Sequence, residues 1–395
     1  MNATRWPAVL AVTVGIFAIV TTEILPIGLL TPIAAGFGVT AGTAGWTMTV
    51  PGLVAAAAAP VVTVAIGRAD RRLVLAALML LLAVAGFLAA AAPAYWVLLA
   101  ARFLVGLVIG GFWSVGAGLA PRLVGPAAAA RATAVIFSAV PLGSVLGVPL
   151  GTFLGQLAGW RTAFLVLGLL SLGTAAALLA FTPSLPPEGT TRPSVLKGLL
   201  RRREVRSGLI VTFLVVLAHF GTYTYLTPLL REAVRPAVLS AYLLVYGVAG
   251  IGGTFLAGAS RRPRAAFAVA AAAIGAAVFV LPHVGAACAL AALVVWGAAY
   301  GAVPVCSQWW FSRAAPDAPE AATVLFTASF QATISAGALA GGFVVDAVSV
   351  PAVMTCGGVA AVLAALAVPV RVFRSPERRA VAAAESGATV GPWLP

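Results

Sequence analysis

The chain has 395 residues, of which 62% are hydrophobic and 9% charged, with a net charge of +14 and a mean hydropathy of +1.08. Soluble domains carry about one quarter charged residues, so this composition excludes a soluble fold. The basic residues are scattered over short segments instead of gathered on one surface. This pattern argues against a nucleic acid partner and favours anionic membrane lipid.

Apolar stretches of about 20 residues, the length that crosses a bilayer as a helix, recur along the whole chain. The first stretch follows Arg5 and is interrupted by Glu23, with no clean small-residue cleavage site after it, so we interpret it as an uncleaved helix. The predicted helices span residues 8–33, 44–66, 73–92, 95–120, 131–157 and 162–182, then 207–230, 237–260, 265–282, 285–311, 320–345 and 350–371.

A proline-rich and basic stretch separates the two sets of helices, which predicts two six-helix bundles. The predicted organisation is an N-terminal bundle at 1–182, a cytoplasmic linker at 183–206, a C-terminal bundle at 207–372 and a disordered cytoplasmic tail at 373–395. The fold class is therefore an all-α membrane protein with twelve transmembrane helices in two pseudo-symmetric bundles.

The bundles are predicted to be repeats because spacings recur. Gly147 and Gly151 reappear 190 positions later as Gly337 and Gly341. Parallel repeats of six helices place a substrate site at the membrane midplane between them, and alternating access arises when one rocks against the other.

Basic residues predict the orientation. Of the 24 Lys and Arg residues, 20 lie in alternate segments between the predicted helices or at the chain ends. Positive charge is retained on the cytoplasmic side, so both termini are expected in the cytoplasm of a bacterial inner-membrane protein.

Glu23 is the one carboxylate predicted well inside a span, and Arg102 lies within the fourth helix. An acid in hydrocarbon is costly, so Glu23 either handles protons or cations or lies near the outer headgroups. Arg102 is expected to pair with Glu23, backbone carbonyls or cavity water, or else only to brace helices. An offset of 196 relates Glu23 to His219, which is either a second titratable cavity residue or a core histidine.

Enzymatic and metal chemistry find little support. Cys288, Cys306 and Cys356 lie in apolar spans without metal-ligand spacing, so no metal, cofactor or disulfide is expected. His219 and His283 are the only histidines, and no HExxH or Ser/His/Asp arrangement occurs, which argues against an intramembrane enzyme. A scaffold that moves nothing would have no use for buried Glu and Arg.

Three further groups are candidates for functional roles. A glycine ridge with one proline on the fifth helix would allow a close helix contact, where the bundles could seal: Gly143, Gly147, Pro149, Gly151 and Gly155. The loop after the second helix holds a charge cluster that is either a solvated loop or a salt-bridge latch: Arg68, Asp70, Arg71 and Arg72. Expected cavity residues, whose aromatic members could instead be interface anchors, are Trp46, Phe112, Trp113, Tyr223, Tyr225, Tyr246, Tyr300, Gln308, Trp309 and Gln331.

Three segments resemble the major facilitator superfamily, and within it the twelve-helix drug:proton antiporter group near the sugar-efflux and arabinose-efflux-like permeases. They are TEILPIGLL at 22–30, RFLVGLVIGG at 102–111 and GSVLGVPLGTFLGQLAGWRTAF at 143–164. The resemblance implies that the fifth-helix motif marks an exporter, that Arg102 assists proton transfer, and that Glu23 is the proton- or substrate-sensing acid. The loop after the second helix departs from the family pattern, with Thr63 and Gly67 in place of its glycine and aspartate.

These observations predict a monomeric transporter that exports a small lipophilic or amphipathic compound in exchange for protons. The aromatic candidates favour such a substrate, whereas a sugar would need more hydrogen-bonding side chains. Export of a sugar or its derivative, and proton-independent facilitation, are the alternatives.

Overall fold

A computed structural model describes residues 5–65, 69–116, 119–186, 198–260, 262–315 and 319–368 of the chain. Nearly all of these residues are α-helical, and none of them lies in a β-strand. Arg68, residues 187–197 of the predicted linker and the predicted tail at 373–395 lie outside the described residues.

The helices fall into two sets. We call α1–α7 the first half: α1 (Trp6–Phe37), α2 (Ala41–Ala65), α3 (Arg71–Ala91), α4 (Tyr95–Gly116), α5 (Ala120–Val124), α6 (Pro126–Ala158) and α7 (Trp160–Phe181). We call α8–α14 the second half: α8 (Arg203–Tyr223), α9 (Leu226–Ala233), α10 (Pro236–Gly258), α11 (Pro263–Val280), α12 (Ala286–Ala314), α13 (Pro319–Ala347) and α14 (Val350–Ala367). A short 3₁₀ turn, Leu281–His283, follows α11.

Among the described residues, eleven helices are long and apolar enough to cross a membrane. The 25-residue helix α2 packs between α4 and α13 and corresponds to the remaining predicted span. The predicted all-α membrane fold is confirmed. α8 begins at Arg203, inside the stretch expected to be linker.

The packing inside the two halves follows one scheme. In the first half the most extensive contacts join α1 to α6, α2 to α4 and α3 to α7. In the second half they join α8 to α13, α10 to α12 and α11 to α14, which are the equivalent helices. The halves meet through another equivalent pair of contacts, α2 with α13 and α6 with α10. The predicted pseudo-symmetry is therefore present in the packing.

The seventh predicted span is broken where the sequence analysis expected one helix over 207–230. α8 ends at Tyr223 and α9 starts at Leu226. Pro228 stands four residues after Thr224. Because proline has no N–H, the Thr224 carbonyl lacks its helical hydrogen bond at the break. The Thr224 hydroxyl donates instead to the Phe220 carbonyl, at 2.6 Å.

The two ends of the helical assembly differ in character. We call the end that carries Arg5, Arg71, Arg122 and Arg202 the arginine-rich face, and the other end the opposite face. Several contacts fasten the arginine-rich face, including the Arg5 N–H bond to the Leu123 carbonyl at 3.3 Å. The sequence analysis predicts that this face is cytoplasmic.

Asp70 holds the start of α3 to the chain segment that follows α7. Its carboxylate accepts hydrogen bonds from the Arg72 N–H at 2.9 Å, the Leu185 N–H at 3.0 Å and the Ser184 hydroxyl at 2.5 Å. The Arg72 guanidinium donates to the Leu179 carbonyl of α7. These contacts lie within the first half, so Asp70 acts as a helix cap, and its contacts among the described residues do not reach the second half.

An ion pair in the second half occupies a comparable place. Arg264 of α11 contacts Glu204 of α8 at 2.6 Å and lies over the Trp310 ring of α12 at 4.5 Å. The Trp310 indole donates to the Glu204 carbonyl at 3.2 Å. Each half is thus fastened internally at its arginine-rich end, which allows it to move as one body.

We expect Asp70→Ala to lower the free energy of unfolding by about 1 kcal/mol at neutral pH, the usual contribution of a helix N-cap. Hydrogen bonds from Ser184 and the Leu185 N–H lower the pKa of Asp70 in the folded protein. The contribution is therefore present above the unfolded pKa, about 3.9, and is lost as the pH falls through the folded value. Thermal unfolding in detergent across this range measures the difference between wild type and variant.

Ser184→Ala, which removes a single donor, should cost less than Asp70→Ala. An unfolding difference that stays constant to the lowest pH would contradict this account of the Asp70 cap.

Candidate functional site between the two halves

Glu23 lies in the middle of α1 at the contact between the two halves and is 8% exposed. The Gln331 amide of α13 interacts with its carboxyl group as a hydrogen-bonding partner, and Tyr300 of α12 is close enough for electrostatic interaction. Both partners belong to the second half. Glu23 is therefore a first-half acid whose surroundings depend on how the halves are placed.

Arg102 of α4 is 1% exposed and donates three hydrogen bonds to backbone carbonyls. Nε bonds to Thr47 of α2 at 2.7 Å, Nη1 to Thr22 at 2.7 Å, and Nη2 to the main-chain carbonyl of Glu23 at 2.8 Å. The sequence analysis expected Arg102 to pair with Glu23, backbone carbonyls or water, and these three bonds go to backbone carbonyls. The Glu23 carboxylate feels the positive charge, but these three bonds are not directed to it.

A buried aromatic cluster stands on the second-half side of Glu23. We call His219, Tyr223, Tyr246, Trp296 and Tyr300 the aromatic cluster. Tyr300 stacks on the His219 ring with centroids 3.4 Å apart and planes inclined by 5°, and Tyr223 stacks on His219 at 5.1 Å. Since Tyr300 also interacts with Glu23, it connects the acid to the histidine that the 196-residue offset relates to it.

His219 is held as a neutral imidazole in this arrangement. The Trp296 indole N–H donates to His219 Nδ1 at 3.0 Å. An indole nitrogen can only donate, so Nδ1 is an acceptor without a proton and the ring proton is on Nε2. That nitrogen lies 3.5 Å from the Tyr246 hydroxyl. Protonation of Nδ1 would require the Trp296 bond to break.

The glycine ridge of α6 faces α1, within the same half. A Cβ atom added to Gly151 or Gly155 would collide with Leu25 or Leu29, and one on Gly147 would come within 3.2 Å of Thr21 Cα. The ridge was expected where the halves could seal. It instead brings α6 against the helix that carries Glu23.

The halves are joined toward the opposite face. The Asp346 carboxylate at the end of α13 accepts hydrogen bonds from the Thr40 hydroxyl at 2.6 Å and the Gly42 N–H at 2.9 Å. Gly42 lies in the first turn of α2, where the helix dipole favours a negative charge. Gln156 of α6 donates to the Pro236 carbonyl of α10 at 2.6 Å.

Two further contacts extend this closure toward the middle of the membrane. The Thr227 hydroxyl of α9 donates to the Ile27 carbonyl of α1 at 2.7 Å, and Gly247 of α10 packs on Val145 of α6. Nearer the arginine-rich face, α6 exposes Ser138 and Ser144. The structure therefore represents a state that is closed at the opposite face.

Comparison with known proteins agrees with this architecture. Residues 11–323 match the family model of the Major Facilitator Superfamily. The chain belongs to the major facilitator superfamily. It is 32% identical over 374 residues to the purine ribonucleoside efflux pump NepI of Escherichia coli K12, covering 93% of this chain and 94% of that pump, with the same values for NepI of Shigella flexneri.

Solved structures of other transporters share the fold. A bacterial homologue of the human lysosomal transporter Spinster, in an inward-facing and occupied conformation, gives a TM-score of 0.74 at 16% identity, with 95% of this chain and 100% of that chain covered. The human organic anion transporter MFSD10 (TETRAN) gives 0.65 at 18% identity, with 93% and 100% covered. These structures confirm the predicted fold, and the family model and NepI confirm the predicted family.

Some residues that the sequence analysis assigned to the cavity of this superfamily member lie elsewhere. Trp46 is 41% exposed and shares an outward stripe of α2 with Leu53 and Val61, so it faces lipid. Phe112 is 1% exposed and packs on Gly15 of α1 in the first-half core. Both assignments were wrong because the rotation of an apolar helix about its axis is not visible in its sequence.

The remaining residues predicted to line the cavity differ in exposure and do not form one cluster. Trp113 is half-buried against Phe137 of α6, at 6.3 Å between ring centroids. Gln308 is exposed, and Trp309 lies under the Arg313 guanidinium at 4.5 Å. Tyr225 is buried and donates to the Ala338 carbonyl at 2.9 Å.

The described residues form an open groove of about 470 Å³ on the side of α1 and α7, away from the second half. It is lined by apolar residues such as Leu10, Val14 and Phe181 and contains none of the predicted cavity residues. A gap too narrow for a water molecule lies beside Arg102 within the first half. The candidate site is thus defined by Glu23 and the residues around it, in a state where they are packed together.

Two residues of the site were missed from the sequence. Trp296 orients His219, and Asp346 joins the halves. The sequence places Asp346 near the outer end of a predicted helix but assigns it no role. Its partner, the start of α2, could not have been identified, because that contact joins segments about 300 residues apart.

We expect Asp346→Ala to weaken closure at the opposite face, because the Thr40 hydroxyl and the Gly42 N–H lose their acceptor. Spin labels at Leu157 of α6 and Val238 of α10, both exposed, report the separation of the halves at this face. In a background with the three cysteines replaced by serine, the variant should shift the measured distances to longer values. Asp346→Asn, which retains one acceptor oxygen, should shift them less, and unchanged distances would rule out the clamp.

Proposed function

We propose that this protein is a proton-coupled exporter of a small amphipathic molecule with a planar heterocyclic part, of the size of a purine nucleoside. The observation that carries the proposal is the buried Glu23 carboxyl, which belongs to the first half but interacts with Gln331 and Tyr300 of the second. A carboxyl whose surroundings change when the halves move changes its proton affinity with conformation. Such a group can couple proton movement to alternating access.

The direction of transport in this proposal is outward. The similarity to NepI, named as an efflux pump, supports it, as does the resemblance of the Gly143–Phe164 segment to the motif of exporters. With the arginine-rich face in the cytoplasm, as basic residues predict, the described state is closed to the outside. Substrate would enter from the cytoplasm, and Glu23 would take its proton after the halves open outward.

The aromatic cluster supports a planar substrate. Rings of Tyr223, His219 and Tyr300 are nearly parallel, so separation of the halves would present an aromatic plane beside Glu23 and Gln331. A purine base stacks on such a plane, and each base–aromatic contact contributes about 1–3 kcal/mol. The Gln331 amide can both donate and accept, as recognition of a heterocycle edge requires. A pentose without a base offers no plane to stack, so sugar export fits less well.

The coupling role of Glu23 can be tested in proteoliposomes with a purine ribonucleoside as probe. An imposed pH gradient should drive export by wild type and not by Glu23→Gln, whose amide cannot take up a proton. Glu232→Gln, which changes an exposed acid of α9, is the matched control and should export like wild type. Gradient-driven export by Glu23→Gln at the wild-type rate would reject proton coupling through this residue.

The substrate class can be tested at Tyr300. Tyr300→Phe retains the ring and should change nucleoside affinity little, whereas Tyr300→Leu should weaken it about tenfold or more, as expected for a lost stacking contact. Competition by unlabelled nucleoside, free base and free ribose measures which part is recognised. Equal competition by ribose and nucleoside would favour the sugar-export alternative.

A further inference from the structure

Two membrane-spanning helices of the first half each contain a proline that removes a backbone hydrogen bond. Pro26 of α1 has no N–H to donate to the Thr22 carbonyl, and Pro51 of α2 has none for the Thr47 carbonyl. Water cannot satisfy such carbonyls in the hydrocarbon core, so another protein group has to do so.

A single side chain bonds to both of these carbonyls. Arg102 donates Nη1 to Thr22 and Nε to Thr47, each at 2.7 Å. The two carbonyls are 25 residues apart in the sequence, on different helices, and each precedes its proline by the four residues of a helical hydrogen bond. The match at both positions identifies the guanidinium as the replacement for two missing N–H groups.

A third proline of the first half shows the same arrangement with a different donor. Pro32 of α1 leaves the Gly28 carbonyl without its helical partner. The Thr152 hydroxyl of α6 lies 3.2 Å from that carbonyl and 2.9 Å from the Val148 carbonyl of its own helix. Side chains of neighbouring helices therefore stand at the carbonyls freed by Pro26, Pro32 and Pro51.

We propose that Arg102 is a positioning residue that completes the backbones of α1 and α2 at their proline breaks and thereby fixes the place of Glu23. Its third bond, from Nη2 to the Glu23 carbonyl at 2.8 Å, holds the backbone of the acid itself. The guanidinium sets where the carboxyl stands and does not exchange a proton with it. The functional part of this inference rests on the proposed coupling role of Glu23, whereas the structural part does not.

A double-mutant cycle tests the structural part. Arg102→Gln should lower thermal stability, and Pro26→Ala with Pro51→Ala, which restore both N–H donors, should remove most of that loss. Pro32→Ala is the matched control and should leave the Arg102→Gln loss unchanged, because its carbonyl is served by Thr152. Conversely, the smaller loss from Thr152→Val should be reversed by Pro32→Ala and not by the other two proline replacements.

If Arg102→Gln alone fails to accumulate in membranes, recovery of its expression by the Pro26 and Pro51 replacements is the readout. Arg102→Lys is a second variant, because it retains the charge without the planar fork that reaches two carbonyls. It should behave like Arg102→Gln. A lysine variant with wild-type stability and transport, or a cycle without recovery, would overturn the proposal.

Transport measurements distinguish the proposed role of Arg102 from the proposed coupling role of Glu23. The triple variant Arg102→Gln, Pro26→Ala, Pro51→Ala should regain gradient-driven export with the wild-type pH profile, while Arg102→Gln with Pro32→Ala should not. Stability recovered without export would reject the positioning of Glu23 while leaving Glu23→Gln as the independent test of coupling. Normal export by Glu23→Gln, together with a positive stability cycle, would reject the proposed coupling and retain the backbone role.

Discussion

Backbone hydrogen bonding inside a lipid bilayer is the constraint on which this structure depends. Without water, each carbonyl in the spans needs a protein donor, which explains why the described residues are nearly all helical. Pro26, Pro32 and Pro51 break this rule, and Arg102 and Thr152 stand at the three carbonyls that lose their donors. Part of the buried polarity of the first half therefore serves the fold before it serves transport.

Glu23 differs from these residues because its side chain faces across the contact between the halves. Its backbone is held within the first half by Arg102, while its carboxyl meets Gln331 and Tyr300 of the second. One residue thus combines a fixed main chain with side-chain surroundings that move. The close packing of the α6 glycine ridge on α1 also holds the main chain of Glu23 in place.

The two halves share a helix-packing scheme but differ in chemistry. The first half places an acid and an arginine near the midplane, whereas the second places neutral rings around His219. Tyr300 stacks on His219 and interacts electrostatically with Glu23, the residue that the repeat relates to His219. Asymmetric chemistry on a symmetric scaffold gives one half the buried acid and the other the aromatic surface.

The sequence by itself determined the membrane class, the spans apart from the break in the seventh, the repeat and the presence of Glu23 and Arg102 inside spans, because bilayer thickness and the cost of buried charge act directly on composition. Only the tertiary structure decided that Arg102 bonds to carbonyls, that the glycine ridge meets α1, and that Trp46 faces lipid. These outcomes depend on how each helix is rotated about its axis. A helix that is apolar on all sides carries no signal for that rotation, so contacts between distant segments determine it.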